Sequence, residues 1–365
     1  MHKKVLHVFG IMNRGGAELR TLSTQQYMLD KSVQYDFLVL SGEEGVLDQQ
    51  IVASGSQIHY CKLNWRFFHT FYSIIKQGEY KIVHSHVSLV SGLMLLVAWM
   101  AGANIRISHF RSTHDVESPS MIRKLRDAFL RRLLLTFSTK IVAVCKGAID
   151  AFWHFDWSSN PKFGVIYNGF PIFEVTHNST FWQEQITDYQ GEKVLVNVAR
   201  MHEQKNHFRL IEIFAALCKV NEEVLLILIG KEDADIKAEM QQVINENKIE
   251  KKVFFLGEKG DVLPFIEHSN MSLFPSKWEG LPGAVIESAS LGVPVVGSDI
   301  PGIVEISQKL PIVTAVPLSS NNEQWVKVIQ KQLLSPVDRL SSKQQFEKSI
   351  FQLERNAEQL YALYR

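Results

Sequence analysis

The chain has 365 residues, enough for two domains with sizeable cores, and 46% of it is hydrophobic against 21% charged, as in an ordinary soluble globular protein. Its 39 lysines and arginines balance 38 aspartates and glutamates, so no global charge argues for a nucleic-acid partner. The three cysteines, Cys61, Cys145 and Cys218, are scattered and odd in number, which favours reduced thiols in a cytoplasmic setting over a disulfide framework; no Cys/His cluster has metal-ligand spacing.

The first run, Lys3 to Gly10, is too short in its apolar part for a signal peptide and reads as a strand over Val5–Phe9. A helix over Gly16–Leu29 and a strand over Tyr35–Leu40 follow. The loop Met12–Glu18 joins the first strand to its helix. Gly15 and Gly16 there remove side-chain bulk and allow positive φ, so that a backbone can approach a ligand; a tight strand-to-helix turn accounts for them equally well. Their spacing is not Gly-x-Gly-x-x-Gly, which argues against a dehydrogenase. Ile82–His84 reads as a strand. The most apolar run, Leu89–Ala103, falls short of the roughly 20 residues that span a bilayer and reads as a buried helix. Ile105–His109 and Lys140–Val144 are further strands. His84, His86 and His109 stand at strand ends near one sheet edge, so one of them is expected to face a ligand. Arg111 and His114 follow on the same edge, and His114 could instead cap local structure. Ser120–Phe137 carries Arg123, Lys124, Arg126, Arg131 and Arg132 against Asp127, a net of +4, with apolar residues at helical spacing. It suits either an anionic membrane surface or a core-facing helix with a solvated basic face.

After the polar stretch Asn178–Gly191 a second series of strands begins: Val194–Ala199, Val224–Ile229, Val253–Leu256, Met271–Phe274, Pro294–Gly297 and Ile312–Val316. Strands alternating with helices imply parallel sheets covered on both faces. Two doubly wound domains, with ligand between them at the carboxyl ends of the strands, are the economical reading. Arg200 and Lys205 fall in the loop after the strand ending at Ala199, where two fixed cations suit a diphosphate, and Asn206 is placed to N-cap the next helix. In the stretch Pro275–Gly297, Glu279 lies in a loop and Glu287 one turn into a helix that is otherwise small and apolar. Between them the first N–H groups of that helix are unpaired and form a positive end suited to a phosphate. Carboxylates accept from sugar hydroxyls, so the pair suggests a nucleotide sugar. Gln344–Tyr364 reads as a final helix.

These segments together resemble the retaining glycosyltransferases of family four. The Glu-x7-Glu signature stands as Ser276, Glu279, Gly280, Pro282 and Glu287, with Ser288 in place of the commoner alanine. Its companions are the Gly15–Gly16 loop, Arg200-x4-Lys205-Asn206 with Ala199 for glycine, Val165–Gly169, and Phe255-Leu256-Gly257. Phe170–Pro171 and Pro301–Gly302, the latter in place of Gly-Gly, depart from the family pattern. The resemblance covers essentially the whole chain and implies the GT-B fold: two Rossmann-like doubly wound parallel-sheet domains facing across a cleft. The acceptor domain would span 1–175 and the donor domain 176–345, with a helix over 346–365 packing back on the first.

The resemblance implies a nucleotide-diphosphate sugar donor, UDP being the commonest, and a saccharide or lipid-linked saccharide acceptor in bacterial exopolysaccharide or lipopolysaccharide synthesis. Glu287 would bind the ribose, Arg200 and Lys205 the diphosphate, and Leu256 with Gly257 the base. Glu279 and the backbone of Leu281, Gly283, Ala284 and Val285 would hold the donor sugar, and Gly15 and Gly16 would reach the donor phosphates. His109 would stand against the donor sugar in a positioning role, with His86, Arg111 and His114 on the acceptor side. No metal or other cofactor is expected, because arginine and lysine take its place. The resemblance also shifts the basic segment 120–137 toward membrane contact, peripheral at the inner face. The rival readings are a catalytically silent partner subunit and an epimerase or phosphorylase on the same fold.

Overall fold

Several strands of this chain are apolar runs without alternation, such as Val224–Ile229, in which every residue is buried; that is the pattern of a parallel strand covered on both faces. The computed structural model describes residues 2–113, 120–174, 178–335 and 337–365. Contacts divide the chain into two units, Met1–Phe170 with Leu353–Arg365, and Pro171–Gln352. The divisions fall at 170/171 and 352/353, against 175/176 and 345/346 read from the sequence.

In chain order the first unit holds β1 (Lys3–Phe9), α1 (Gly16–Ser23), α2 (Gln25–Asp30), β2 (Val33–Val39), α3 (Asp48–Ala53), β3 (Ile58–Tyr60) and α4 (Phe67–Gln77). It continues with β4 (Ile82–Ser85), α5 (Ser91–Met100), β5 (Ile105–Phe110), α6 (Met121–Phe137), β6 (Lys140–Ala143), α7 (Lys146–Asp150) and β7 (Phe163–Val165). Its sheet has the order β3-β2-β1-β4-β5-β6-β7, parallel throughout. The second unit holds α8 (Phe181–Gln185), β8 (Lys193–Val198), α9 (His207–Cys218), β9 (Val224–Ile229), α10 (Ala234–Glu246), β10 (Val253–Phe255), α11 (Leu263–Glu267) and β11 (Met271–Phe274). Then come α12 (Gly283–Ser290), β12 (Val295–Ser298), α13 (Pro301–Ser307), β13 (Val313–Val316), α14 (Asn322–Leu334) and α15 (Arg339–Glu347). Its sheet runs β10-β9-β8-β11-β12-β13, again all parallel. Both orders reverse direction once, at β1/β4 and at β8/β11, and such switch points are where doubly wound sheets bind ligands.

Three elements differ from the sequence reading. The helix expected over Gly16–Leu29 breaks at Thr24, whose hydroxyl donates to the Thr21 carbonyl at 2.9 Å. The edge strands β3 and β7, three residues each, are too short to carry a periodic signal. The helix expected over Gln344–Tyr364 is two, α15 and α16 (Leu353–Leu363), and α16 returns to the first unit. There Leu353 N–H donates to Phe170 O at 2.9 Å, Asn356 Nδ2 donates to Tyr167 O at 2.5 Å, and Ala357, Leu360 and Tyr364 enter the core. A Cβ on Gly169 would stand 2.5 Å from Asn356 Cβ, so this glycine serves close packing against α16 as well as its turn.

Helix α6 buries one face and leaves apolar residues exposed on another. Its core-facing residues are Asp127, Leu130, Leu133 and Leu134, whereas Met121, Ile122, Leu125 and Phe129 are exposed beside the basic residues. No helix among the described residues is long and apolar enough to cross a membrane.

Candidate active site

In the second unit the switch point sets the loop after β8 beside the loop after β11, and hydrogen bonds join the two. Lys277 N–H donates to Gln204 O at 2.8 Å, and Asn206 Nδ2 donates to Pro275 O at 3.0 Å. Asn206 stands at the start of α9 in the left-handed conformation (φ +56°), but its side chain does not cap that helix as the sequence suggested; the β11 loop takes it instead. Glu279, 7% exposed, is the hub. Lys205 Nζ forms an ion pair with its Oε1, Ser276 Oγ donates to the same oxygen at 3.2 Å, and Gln204 Nε2 donates to Oε2 at 3.0 Å and to Trp278 O at 2.8 Å. The arrangement fixes Lys205 and fills much of the carboxylate's accepting capacity. Arg200 is exposed, and its guanidinium has no partner among the described residues.

Helix α12 begins after Pro282 with no side-chain cap, and the N–H groups of Gly283, Ala284 and Val285 have no acceptor among the described residues. That end is electropositive. Leu281 and the Val285 side chain are buried, Gly283 and Ala284 are half-buried, and Glu287 is the half-buried fifth residue of the helix. Ser288, the departure from alanine, lies 2.7 Å from the Ala284 carbonyl and 2.9 Å from Ser272 Oγ, so its hydroxyl is satisfied inside the core. Leu256 and Gly257 follow β10, with Leu256 packed on the core and open space on the Cβ side of Gly257.

Two glycines shape this site: Gly230, which sequence reasoning missed, and Gly302, which it marked only as part of a departure from Gly-Gly. Gly230 ends β9 at φ +147°, and a Cβ there would stand 2.2 Å from Ala199 O and 2.9 Å from Arg200 N. Gly302 presses on the Gly280 carbonyl, 2.0 Å from where a Cβ would be, so the Pro301–Gly302 departure still provides a close backbone approach, to the Glu279 loop. A glycine directly after an apolar strand was the available signal for Gly230; Gln204 carried none.

In the first unit, Gly15 is extended (φ −107°) and Gly16 opens α1. Neither is left-handed, so the freedom of φ expected of the pair is not used. Gly16 has open space on its Cβ side, whereas a Cβ on Gly15 would meet the Glu18 carboxylate. Across the β1/β4 switch four imidazoles gather. His7 Nδ1 lies 3.0 Å from His86 Nε2, His84 Nε2 lies 3.2 Å from His109 Nδ1, and His84 Nδ1 lies 2.7 Å from the Tyr364 hydroxyl. His109 is 1% exposed, and its Nε2 has no partner among the described residues. Arg111 donates to Asn168 Oδ1 at 2.6 Å and from Nε to His86 Nδ1 at 3.4 Å. His114 lies outside the described residues. Nitrogens of His7, His84 and His86 lie within 4.8 Å of one another, close enough to share a metal ion, but the Arg111 cation beside His86 opposes one there.

Burial, with the Arg111 charge added, holds His7 down at about 3 and lowers His84, His86 and His109 well below the usual imidazole range. The unfolded chain therefore binds protons at these positions below about pH 6.5 where the folded chain does not. Stability is full above that pH and is lost as pH falls through it toward 3, by up to about 1.4 kcal/mol per group per pH unit. Guanidinium unfolding should show a clearly lower midpoint at pH 5.5 than at pH 7.5, with a shallower dependence in His7→Phe. Equal midpoints at the two pH values would contradict the burial of neutral imidazoles.

Against known proteins, residues 178–351 match the family model of glycosyl transferases group 1, and residues 14–172 match that of glycosyltransferase family 4. The chain is 30% identical over 99% of its length and 98% of the relative's to the capsular polysaccharide biosynthesis glycosyltransferase CapH of Staphylococcus aureus. It is 24% identical, covering 78% of this chain and 76% of the other, to the UDP-Gal:alpha-D-GlcNAc-diphosphoundecaprenol alpha-1,3-galactosyltransferase of Escherichia coli. Among solved structures, Anabaena Alr3699/HepE in complex with UDP superposes with a TM-score of 0.83 at 17% identity, covering 99% of both chains, which is a likeness of fold.

Proposed function

The chain belongs to glycosyltransferase family 4, and from that premise we propose that its second unit binds a nucleoside-diphosphate sugar, UDP-linked, and passes the sugar with retention to a saccharide or lipid-linked saccharide of bacterial surface polysaccharide synthesis. The observation that carries the reading is the hub at Glu279, which places Lys205 as a fixed cation in the β8 loop that also bears the unpartnered Arg200. Lys205 and Arg200 take the diphosphate, together with the open N–H groups at the start of α12. Charge developing on the departing diphosphate is met there, which is the main catalytic contribution and leaves no step that needs a metal. Glu287 takes the ribose hydroxyls, Leu256 and Gly257 line the base, and the backbone from Leu281 to Val285 follows the sugar. The acceptor attacks on the face the diphosphate leaves, with a donor phosphate oxygen taking its proton. In the first unit His109 contacts the donor sugar, Gly15 and Gly16 approach the phosphates, and His86 and Arg111 serve the acceptor. The names of the relatives, one a capsular polysaccharide enzyme and one acting on a UDP-sugar and a diphosphoundecaprenol-linked acceptor, support these choices.

Titration of UDP, GDP and ADP into the wild type and into the Arg200→Ala/Lys205→Ala double variant tests the donor site. UDP should bind selectively and the double variant should lose at least about a hundredfold in affinity, since charged hydrogen bonds are each worth roughly 1.5–3 kcal/mol. Failure of all three nucleotides to bind folded wild type would overturn the assignment.

The enzyme works in the cytoplasm and docks peripherally on the inner membrane face through α6. Exposed Met121, Ile122, Leu125 and Phe129 beside a basic face support this, as do three buried cysteines that form no disulfide. Sedimentation with vesicles rich in phosphatidylglycerol should carry the wild type down and leave Ile122→Asp/Leu125→Asp in solution. Equal sedimentation of the two proteins would remove α6 from membrane contact.

A further inference from the structure

The proposed chemistry uses the carboxyl ends of the strands in the second unit and leaves their amino ends idle. Strand β8 is six residues long, so the two edges lie roughly 20 Å apart. At the amino edge, beside Lys193 of β8 and Asn270 just before β11, there is a cavity of about 520 Å³, inside the range of about 300–1,000 Å³ of small-molecule sites. Polar groups that line it are held in one orientation. The Val194 N–H can only donate, and it donates to Asn270 Oδ1 at 2.8 Å, so the amide cannot flip and its Nδ2 keeps two protons with no acceptor among the described residues. Arg339, the first residue of α15, donates from Nη1 to Glu267 O and from Nη2 to Ser269 O, and its other N–H groups have no acceptor among the described residues. Glu267 is 8% exposed; Lys343 Nζ pairs with its Oε1 at 3.2 Å, and its buried Oε2 has no donor among the described residues. A buried carboxylate oxygen left so is costly, and a hydroxyl brought by a ligand would relieve it. Aromatic rings complete the wall. Phe181 is half-buried and stacked on the His268 imidazole at 4.4 Å, and the Tyr189 hydroxyl donates to Glu192 O at 2.9 Å.

The charged residues lining the cavity, Glu192 and Glu267 against Lys193 and Arg339, sum to zero, so nothing there selects an anion. Fixed donors and an acceptor beside ring faces match a neutral sugar, whose hydroxyls both donate and accept and whose C–H groups pack on an electron-rich ring. We propose that this cavity is a saccharide-binding site, separate from the donor site, that takes one neutral sugar residue. One hydroxyl donates to Glu267, another accepts from Asn270 Nδ2 and Arg339, and the C–H face of the sugar lies against Phe181. The site anchors a saccharide on the transferase and takes no part in bond making.

Saturation-transfer difference NMR on the full chain tests this, with glucose, galactose, N-acetylglucosamine and glucuronic acid as probes. At least one neutral sugar should receive saturation from the wild type, and more strongly than glucuronic acid does. Asn270→Asp keeps the oxygen that holds Val194 and exchanges the donor for a second acceptor, and Phe181→Leu removes the ring. Each should weaken binding of that sugar about tenfold, the worth of one hydrogen bond, at unchanged UDP affinity. No signal from any neutral sugar, a stronger signal from glucuronic acid, or equal binding by the wild type and both variants would overturn the proposal. Should Asn270→Asp fail to fold, Phe181→Leu alone decides. UDP affinity, measured on the same samples, reports on the donor site, so the two assignments stand or fall separately.

Discussion

Glu279→Gln is expected to lower kcat/KM by about 100- to 1,000-fold, the range seen when one fixed group facing developing charge is lost. The carboxylate is buried and accepts from Lys205, Ser276 and Gln204 together. Glutamine keeps its size but has one accepting oxygen, and its amide would point N–H groups at the Lys205 ammonium or the Gln204 amide. Lys205, whose side chain is 21% exposed, would leave for solvent, and the cation proposed to meet the diphosphate would lose its place. Stability should fall by about 1–3 kcal/mol, the penalty of leaving a buried partner unsatisfied. Because Glu279→Gln and Lys205→Ala break the same pair, the double variant should be hardly worse than the poorer single one. Steady-state kinetics on the three proteins would decide: additive losses would show that each residue acts alone, and wild-type turnover in Glu279→Gln would remove the hub from catalysis.

Gly302→Ala is expected to cost about a hundredfold in kcat although the residue is buried and has no side chain to offer a substrate. Alanine is the better helix former by about 1 kcal/mol, so on propensity alone the change would stabilise α13. Contact decides otherwise. The new Cβ would stand 2.0 Å from the Gly280 carbonyl oxygen and 3.3 Å from Pro282 Cδ, where non-bonded atoms settle at about 3.5–4 Å. The loop must retreat by more than about 1 Å, and Glu279 and Leu281 flank the displaced peptide; shifts of that size in a positioning loop cost on the order of a hundredfold in rate. Thermal unfolding with kinetics separates the alternatives. A variant more stable than the wild type and fully active would mean that the loop yields without harm to the site.

How far the sequence reached follows from the range of each interaction. Strand runs such as Val224–Ile229 are legible because burial on both faces leaves an unbroken apolar string, and their alternation with helices implies parallel sheets. The loop positions of Arg200, Lys205 and Glu279 are legible too, since each lies just past the end of an apolar run. Their functional weight came from motif spacing and family resemblance. What spacing could not tell is that Lys205 and Glu279, 74 residues apart, are one ion pair, because strand adjacency at the β8/β11 switch is set by how crossovers pack. The same holds for Gly230 and Gly302, whose need for a missing Cβ exists only against a distant backbone. It holds most strongly for His84 and Tyr364, 280 residues apart, which meet only because α16 returns to the first unit. By itself the sequence determined the fold class and the loops that bear the chemistry, since both follow from local periodicity and breaks in it. Tertiary structure decided which of those side chains hold one another in place, because partners brought together by packing leave no mark in local pattern.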